Sequence, residues 1–125
     1  MTIDRMEEML EEIAARFPEA FYQELNGGIC LLPEVKRSPY SRTGDRGSLF
    51  ILGEYHRDVM GRYIYIYYGS FIAVHGRLPE PMFYEELYKT VAHEFTHHLE
   101  DLAGERGLEI RDEEDLANYL YPDEE

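Results

Sequence analysis

Cysteine is nearly absent from this chain of 125 residues, in which Cys30 is the only one. A single cysteine excludes an internal disulfide framework and a zinc site built from several cysteines, and it fits a reducing compartment such as the cytoplasm. Long apolar runs are absent too, since no stretch approaches the roughly 20 residues that span a bilayer. The charged start of the chain, with Asp4, Arg5 and Glu7, lacks the pattern of a signal or transit peptide. We therefore expect a cytoplasmic protein that does not act at a membrane.

Positive charge is scarce. The chain has 12 Lys and Arg against 26 Asp and Glu, a formal net charge of −14. Such a surface repels phosphate backbones and anionic lipids, which argues against nucleic acid as a partner. Solubility is the simplest explanation for the general acidity. The length and the 44% hydrophobic content predict one compact domain over residues 1–125.

The spacing of apolar residues predicts an α+β fold. An amphipathic helix is predicted over residues 3–17, with Thr2 as N-cap, and Pro18 opens a second short helix that extends to residue 25. Alternating Tyr and Ile over residues 63–68 give the clearest strand signal, with Ile64 and Ile66 on one face. The other predicted elements are strands at residues 29–32 and 49–52, a turn over residues 56–61, a long helix over residues 82–103 that Gly104 ends, and an acidic helix over residues 112–120.

A loop rich in Ser, Pro, Gly and Arg is predicted over residues 36–48. Its arginines, Arg37, Arg42 and Arg46, form the main basic patch of the sequence. The loop is either an ordinary solvated segment or a flap that contacts substrate.

Residues 93–97 read His-Glu-Phe-Thr-His within the long predicted helix. Two histidines four residues apart lie on one helix face with Cβ atoms roughly 6 Å apart, so their imidazoles can share one zinc ion. Glu94 points to the neighbouring side, where it can take a proton from a zinc-bound water and later protonate the leaving amine. The pattern predicts a catalytic Zn²⁺ site with His93 and His97 as ligands and Glu94 as general base.

The helix context favours this interpretation. His93 and His97 fall nearly opposite the apolar stripe, whereas histidines that merely fill a core would lie on it. An ordinary solvated polar face is the alternative. The predicted stripe consists of Leu87, Tyr88, Val91, Phe95, Leu99 and Leu102.

A third protein ligand is required, and several carboxylates compete for that role. Asp101 lies about 12 Å along the helix axis from His93, too far to share a metal with bonds near 2 Å. Glu100 is one turn past His97 and stays possible. We favour a chain reversal at Gly104 and Gly107 that returns a carboxylate to the site. Asp112 ranks first for this role, Glu100 second, and Glu113 or Glu114 third.

Other polar and aromatic residues are weaker candidates. His98 points about 100° away from His97 around the helix, so we expect it to pack or to support the site rather than bind metal. His56 and His75 are expected at the surface. An exposed tyrosine could stabilise an oxyanion, but the sequence does not single one out.

The segment Thr90-Val91-Ala92-His93-Glu94-Phe95-Thr96-His97-His98 resembles the minimal zincin family of small bacterial metallopeptidases. Upstream, Ile51-Leu52-Gly53-Glu54-Tyr55 and Ile64-Tyr65-Ile66-Tyr67 resemble that family's glycine-tyrosine turn and aromatic strand. The resemblance covers about residues 17–119. It implies a zincin-like α+β domain in which a small mixed sheet packs on the metal-binding helix. It also implies that zinc is held by His93, His97 and a downstream aspartate, with Glu94 as base and a peptide or protein as substrate.

This chain departs from the family pattern after the second histidine. Many members have a glycine three residues beyond that histidine and an aspartate ligand three residues later, where this chain has Glu100 and Ala103. An extra helical stretch over residues 99–103 therefore precedes the turn at Gly104, and the third ligand moves downstream to Asp112. The resemblance further suggests that residues 63–68 form an edge strand along which an extended peptide pairs.

Three other functions compete with the peptidase. A peptide deformylase also combines a His-Glu-x-x-His helix with an upstream Gly-Cys-Leu segment, which Gly28-Ile29-Cys30-Leu31 partly matches. Ile29 interrupts that segment, and a cysteine in a buried strand is usually inert. A zinc-dependent ribonuclease would prefer a third histidine and a basic groove. A metal-binding or interaction domain without turnover stays open.

Overall fold

A capped helix begins the fold. The computed structural model describes residues 1–38 and 49–105, so the predicted helix over residues 112–120 and most of the 36–48 loop lie outside the described residues. Helix α1 spans Ile3–Arg16, and the Thr2 hydroxyl caps it by accepting from the Arg5 N–H at 3.1 Å. The helix ends before Pro18, as predicted. Its buried face consists of Met6, Met9, Leu10 and Ile13.

The second predicted helix is shorter than expected. Only a 3₁₀ helix forms there, over Glu19–Tyr22. Gln23 is already extended, and Glu24 adopts a left-handed backbone with φ 61°, which no helix can continue. The prediction of helix up to residue 25 was therefore wrong in both type and length.

In the described part of the chain, three strands form one mixed sheet in the order β1-β3-β2. Strand β1 (Gly28–Leu32) runs parallel to β3 (Gly61–Tyr67), and β2 (Gly53–Asp58) runs antiparallel to it. The small mixed sheet and the α+β class are confirmed. The prediction that residues 63–68 form an edge strand was wrong, because β3 is central and paired on both sides. Among residues 1–38 and 49–105, β1 and β2 are the edges of the sheet.

Strand β2 lies where a turn was predicted. Residues 49–52 were predicted to be a strand, but the structure has only an isolated bridge between Arg37 and Phe50 there. The backbone of this segment bonds to residues 36–38 instead, with the Ile51 N–H donating to the Lys36 carbonyl at 2.8 Å. The actual β2–β3 turn is tight: the Met60 N–H donates to Asp58 at 2.8 Å, and Gly61 has φ 124°.

The two faces of β3 differ as predicted. Ile64 and Ile66 are fully buried in the core, whereas Tyr63 and Tyr65 are partly exposed on the other face. The strand leads directly into helix α2 (Tyr68–His75), whose apolar residues would suit a short buried strand as well as a helix.

Helix α3 (Glu80–Glu105) carries the predicted metal motif and packs against β2. Gly104 was predicted to end it, but the helix continues through this residue, whose φ is not positive. The predicted stripe is confirmed, since all of its members are buried except the partly buried Tyr88. Phe95 packs at its centre, with the rings of Phe17, Phe21 and Tyr22 between 4.8 and 5.6 Å away. Within the described ranges, none of the helices has the length and apolarity needed to cross a bilayer.

Candidate metal site and groove

His93 and His97 meet on the exposed face of α3. Their Nε2 atoms are 3.1 Å apart and their rings are nearly perpendicular, at 87°. Two nitrogen ligands on a tetrahedral zinc ion, with bonds of 2.0–2.1 Å, lie roughly 3.3 Å from each other. The observed spacing therefore fits a shared Zn²⁺ within a few tenths of an ångström. The predicted position of both histidines opposite the apolar stripe is confirmed, whereas their role as ligands stays a prediction.

Glu94 lies beside this pair but is buried, with only 5% of its surface exposed. Burial, together with a smaller effect of the nearby Glu54 carboxylate, raises the pKa of the Glu94 carboxyl to about 7. A carboxyl group with such a pKa can both accept and return a proton near neutral pH. This is the property that the predicted general base requires.

Gly53 lies where β2 packs against α3. A Cβ atom at this position would be 3.1 Å from Ile66 Cδ1, 3.1 Å from Thr90 Cγ2 and 3.3 Å from Glu94 Cγ. These distances are shorter than most contacts of a Cβ atom, so a larger residue at this position would require the neighbouring side chains to shift by a few tenths of an ångström. The glycine thereby lets the β2 backbone lie against the Glu94 side chain.

A groove runs between β2 and α3, with the motif at its middle. It consists of two adjoining cavities of about 390 and 580 Å³, which share Ile51, Gly53, His93 and Glu94 in their walls. The smaller cavity lies toward the start of α3 and the larger toward its end. The smaller is further lined by Phe50, Leu52, Lys89 and Thr90, and the larger by Glu54, Tyr55, His97 and Asp101.

The strand edge that borders the groove is unpaired in the described part of the chain. The Tyr67 N–H donates to the Leu52 carbonyl at 2.9 Å, so the alternate residues Gly53 and Tyr55 direct their backbone N–H and C=O groups away from β3. Among residues 1–38 and 49–105, no further strand bonds to that side of β2. An extended peptide therefore has a β-strand edge to pair with at β2, not at β3.

Asp101 is the centre of a charged network at the larger cavity. It accepts from Arg57 at 2.7 Å, from Arg62 at 2.8 Å and from the Tyr55 hydroxyl at 2.8 Å. Burial alone would raise the pKa of Asp101, but the hydrogen bonds from Arg62, Tyr55 and Arg57 outweigh it and hold the pKa below its ordinary value. With both oxygens occupied by donors, Asp101 supports the fold of the site, in agreement with its rejection as a ligand. The sequence pattern did not indicate this network.

His98 belongs to the same network and is fully buried. Its Nε2 lies 2.9 Å from the Gln23 carbonyl, and its Nδ1 lies 3.0 Å from the Tyr55 hydroxyl. Burial lowers the pKa of His98, which favours the neutral ring. The predicted packing role is confirmed. Through these two contacts, His98 links the turn of α3 that carries His97 to β2 and to the loop after the 3₁₀ helix.

Glu54 is the third carboxylate of the groove, and it too is engaged. It accepts from Lys36 Nζ at 2.6 Å and from the Tyr67 hydroxyl at 2.5 Å, and His56 Nε2 lies 3.2 Å away. His56 stacks on Tyr63 with ring centres 5.2 Å apart and keeps 34% of its side chain exposed, so it lies at the surface as expected, although it contacts Glu54 and Tyr63 there. Hydrogen bonding that holds Glu54 ionised keeps a negative charge near Glu94.

Of the ranked candidates for the third ligand, Glu100 lies within the described residues and the others do not. Glu100 lies 3.9 Å from His97 Nδ1, on the opposite side of the ring from the Nε2 atom that faces His93. Asp112, Glu113, Glu114 and the expected turn at Gly107 lie outside the described residues. In the part that the structure describes, no three His, Cys, Asp or Glu side chains form a group able to hold a metal.

Cys30, the residue that suggested a deformylase, lies on the far edge strand. It is part of β1, with β3 between it and β2, and it does not line the groove. Its thiol lies 3.5 Å from the Gly27 carbonyl. The position of Cys30 disfavours a role as a ligand beside His93 and His97.

The chain was compared with known proteins and solved structures. No protein-family model matches the sequence, and no curated protein matches it. A solved structure of a conserved hypothetical protein from T. thermophilus is similar, with 34% sequence identity and a TM-score of 0.68. The match covers 83% of this chain and 99% of that one. At this identity and coverage, the chain belongs to the same family as that conserved hypothetical protein.

Proposed function

We propose that this protein is a zinc-dependent metallopeptidase with a zincin-like fold, which hydrolyses peptide bonds in the groove between β2 and α3. The observation that carries the proposal is the 3.1 Å approach of His93 Nε2 to His97 Nε2 beside the buried Glu94 carboxyl. Spacing, exposure and the nearby carboxyl together match what a catalytic zinc site requires.

The residues of the chain have distinct roles in this proposal. His93 and His97 hold the metal, and Asp112, the first-ranked carboxylate after the predicted chain reversal, is the proposed third ligand. Zn²⁺, when bound, supplies Lewis acidity that activates water near neutral pH and polarises a carbonyl. Glu94 takes the proton from the attacking water and delivers it to the leaving amine.

The unpaired edge of β2 supports a peptide as substrate. An extended chain can bond to the outward backbone groups of Gly53 and Tyr55, which places its own backbone beside Glu94. Pairing through backbone atoms also suits substrates of varied sequence. The net charge of −14 disfavours nucleic acid as the alternative substrate. A cytoplasmic location remains part of the proposal.

Zinc content tests the metal site. Protein purified without chelators should contain about one Zn²⁺ per chain, measured by elemental analysis. His93→Ala and His97→Ala should lose it, whereas His75→Ala, on α2 and outside the groove, should retain it. Asp112→Ala is expected to lose zinc as well. Full retention in Asp112→Ala would refute that ligand and direct attention to Glu100.

Peptide cleavage tests the chemistry. Wild-type protein should hydrolyse members of a broad peptide library, and Glu94→Gln should retain zinc while hydrolysis falls by at least about 100-fold. Glu85→Gln, an exposed change on the same helix, is the matched control and should behave as wild type. Equal inactivity of wild type and Glu94→Gln with zinc bound would contradict the peptidase and favour a non-catalytic zinc-binding domain.

A further inference from the structure

Strand β1 is an edge of the sheet that lacks the usual protection against pairing. In the described part of the chain, no strand bonds to the side of β1 that faces away from β3. The Gly28 N–H donates to the Leu25 carbonyl at 3.1 Å, away from β3, so the alternate residues Cys30 and Leu32 direct their backbone N–H and C=O groups outward. Natural edge strands are commonly protected by charged residues or proline, and this strand contains neither. The outer side of β1 is therefore able to pair with a further strand.

A groove of about 150 Å³ lies between β1 and helix α1. Its apolar walls are Leu10 and Ala14 on the helix and Ile29 and Leu31 on the strand. Ile29 and Leu31 alternate with the residues whose backbone points outward, so their side chains lie on the core side of the sheet, toward α1. The side chains of a strand added beside β1 would alternate in the same way, and every second one would lie at this groove.

Two carboxylates border the groove without a cationic partner. Glu7 and Glu11 are one turn apart on the exposed side of α1, and both line the groove. Neither forms an ion pair with any residue that the structure describes, whereas Glu8 of the same helix pairs with Arg5 at 3.3 Å. Like charges at this spacing repel each other. A cation at the groove would relieve that repulsion.

Charge and shape together identify the occupant. A Lys or Arg side chain combines an apolar stem with a cationic head, which matches an apolar groove with carboxylates at its rim. A second copy of the chain, paired through its own β1, would bring another Glu7 and Glu11 to the same place and be repelled. Residues 106–125 of this chain are strongly acidic as well. The complementary partner is therefore basic and belongs to another protein.

We propose that β1 and the groove against α1 form a docking site for an extended protein segment with Lys or Arg at alternate positions. The segment pairs with the outward backbone groups of Cys30 and Leu32, and its basic side chains extend over Leu10 toward Glu7 and Glu11. The site lies at the opposite edge of the sheet from β2, with β3 between them. Docking therefore requires neither zinc nor hydrolysis.

Titration with short peptides tests the location. Full-length, ¹⁵N-labelled Glu94→Gln protein is used, so that bound peptide is not hydrolysed. The peptide acetyl-Thr-Lys-Thr-Lys-Thr-Lys-Thr-amide should shift the amide signals of Cys30 and Leu32 and slow their hydrogen exchange. A peptide of the same composition with its three lysines consecutive is the matched control and should bind several-fold more weakly. Shifts confined to Gly53 and Tyr55, or none at β1 with millimolar peptide, would overturn the proposal.

Methylation of the peptide backbone separates strand pairing from attraction by charge alone. Two isomers of the alternating peptide carry N-methyl groups either on two of its lysines or on two of its threonines. The N–H groups of alternate residues in an added strand face β1, so one isomer should lose at least about 10-fold in affinity while the other binds like the parent. Equal affinity of the two isomers would contradict a paired strand.

A pair of double variants tests the groove. Glu7→Gln with Glu11→Gln should weaken binding of the alternating peptide about 3- to 10-fold at low ionic strength. Glu12→Gln with Glu85→Gln removes the same charge at exposed positions outside the groove and should weaken it by less than about twofold. Equal weakening in the two double variants would show that only the net charge of the protein attracts the peptide, and the docking site would be refuted.

Discussion

The contact at Gly53 gives a quantitative prediction about how closely β2 and α3 pack. In Gly53→Ala, the new methyl group would meet Ile66 and Thr90 methyl groups at 3.1 Å and the Glu94 chain at 3.3 Å. Ile66 is fully buried, so it cannot move outward without disturbing the core. Overpacking of this kind costs about 1–3 kcal/mol.

A second effect of Gly53→Ala stabilises the protein, but it is smaller than the cost of overpacking. Because the backbone of Gly53 does not have a positive φ, alanine can adopt it and gains about 0.4–1 kcal/mol from the reduced freedom of the unfolded chain. We therefore expect Gly53→Ala to lower the free energy of unfolding by about 1–2 kcal/mol. For a domain of this size, the corresponding fall in Tm is roughly 3–8 °C.

Gly104→Ala is the matched control. A Cβ at Gly104 meets nothing within 4 Å, and the residue lies near the end of α3 with a helical backbone. Alanine there should raise the free energy of unfolding by up to about 1 kcal/mol. Both variants are compared with wild type by urea unfolding monitored by circular dichroism. A Gly53→Ala protein as stable as wild type would refute the close packing, and a destabilised Gly104→Ala would show that Gly104 ends the helix after all.

Three further changes test the rest of the fold. Asp101→Asn should cost about 1–3 kcal/mol at pH 7, because the nearly buried Arg62 loses one of its charged partners and keeps only Glu105 and Glu24. Since the pKa of Asp101 is lowered in the folded protein, the wild type should lose this advantage as pH falls below about 4, and urea unfolding that shows a constant difference down to about pH 2 would contradict the reasoning. Phe95→Ala should cost about 3–5 kcal/mol by the same assay, and a loss under about 1 kcal/mol would be inconsistent with its central packing. Glu24→Gly should be more stable than Glu24→Ala by about 1 kcal/mol, because both variants lose the ion pair with Arg62 but only glycine adopts φ 61° without strain; equal stability of the two variants would contradict the left-handed backbone.

The elements predicted from sequence are those whose signal is local. Helix α1, the stripe of α3 and the alternation of β3 all follow from periodicity within one segment. Strand β2 was missed because Glu54, His56, Arg57 and Asp58 together look like a turn. It forms because β3 pairs with it and because its polar side chains find partners from distant segments, such as Lys36 for Glu54. Such pairing is a tertiary effect that propensity does not contain.

The candidate site likewise has features that a local sequence pattern predicts and features that depend on residues far apart in the chain. The approach of His93 to His97 depends only on helix geometry, so the spacing of the two residues was enough to predict it. The contacts of Asp101 with Arg62 and Tyr55 join residues 39 and 46 positions apart, and no local pattern indicates them. The end of α3 was misjudged because a glycine in a helix resembles a terminator unless its φ is known. Asp112 lies outside the described residues, so its role as a ligand stays a prediction.

The tight turn between β2 and β3 has a consequence for the order of folding. This hairpin joins neighbours in sequence, so it can form early, on the microsecond scale of such elements. The opposite wall of the groove comes from α3, and the Tyr55–Asp101 contact between the walls spans 46 positions. Contacts of that separation form late, after the cost of closing the intervening loop. We therefore expect a nascent chain to possess its histidine pair before it possesses a groove, so that the proposed hydrolytic activity arises only when folding is complete.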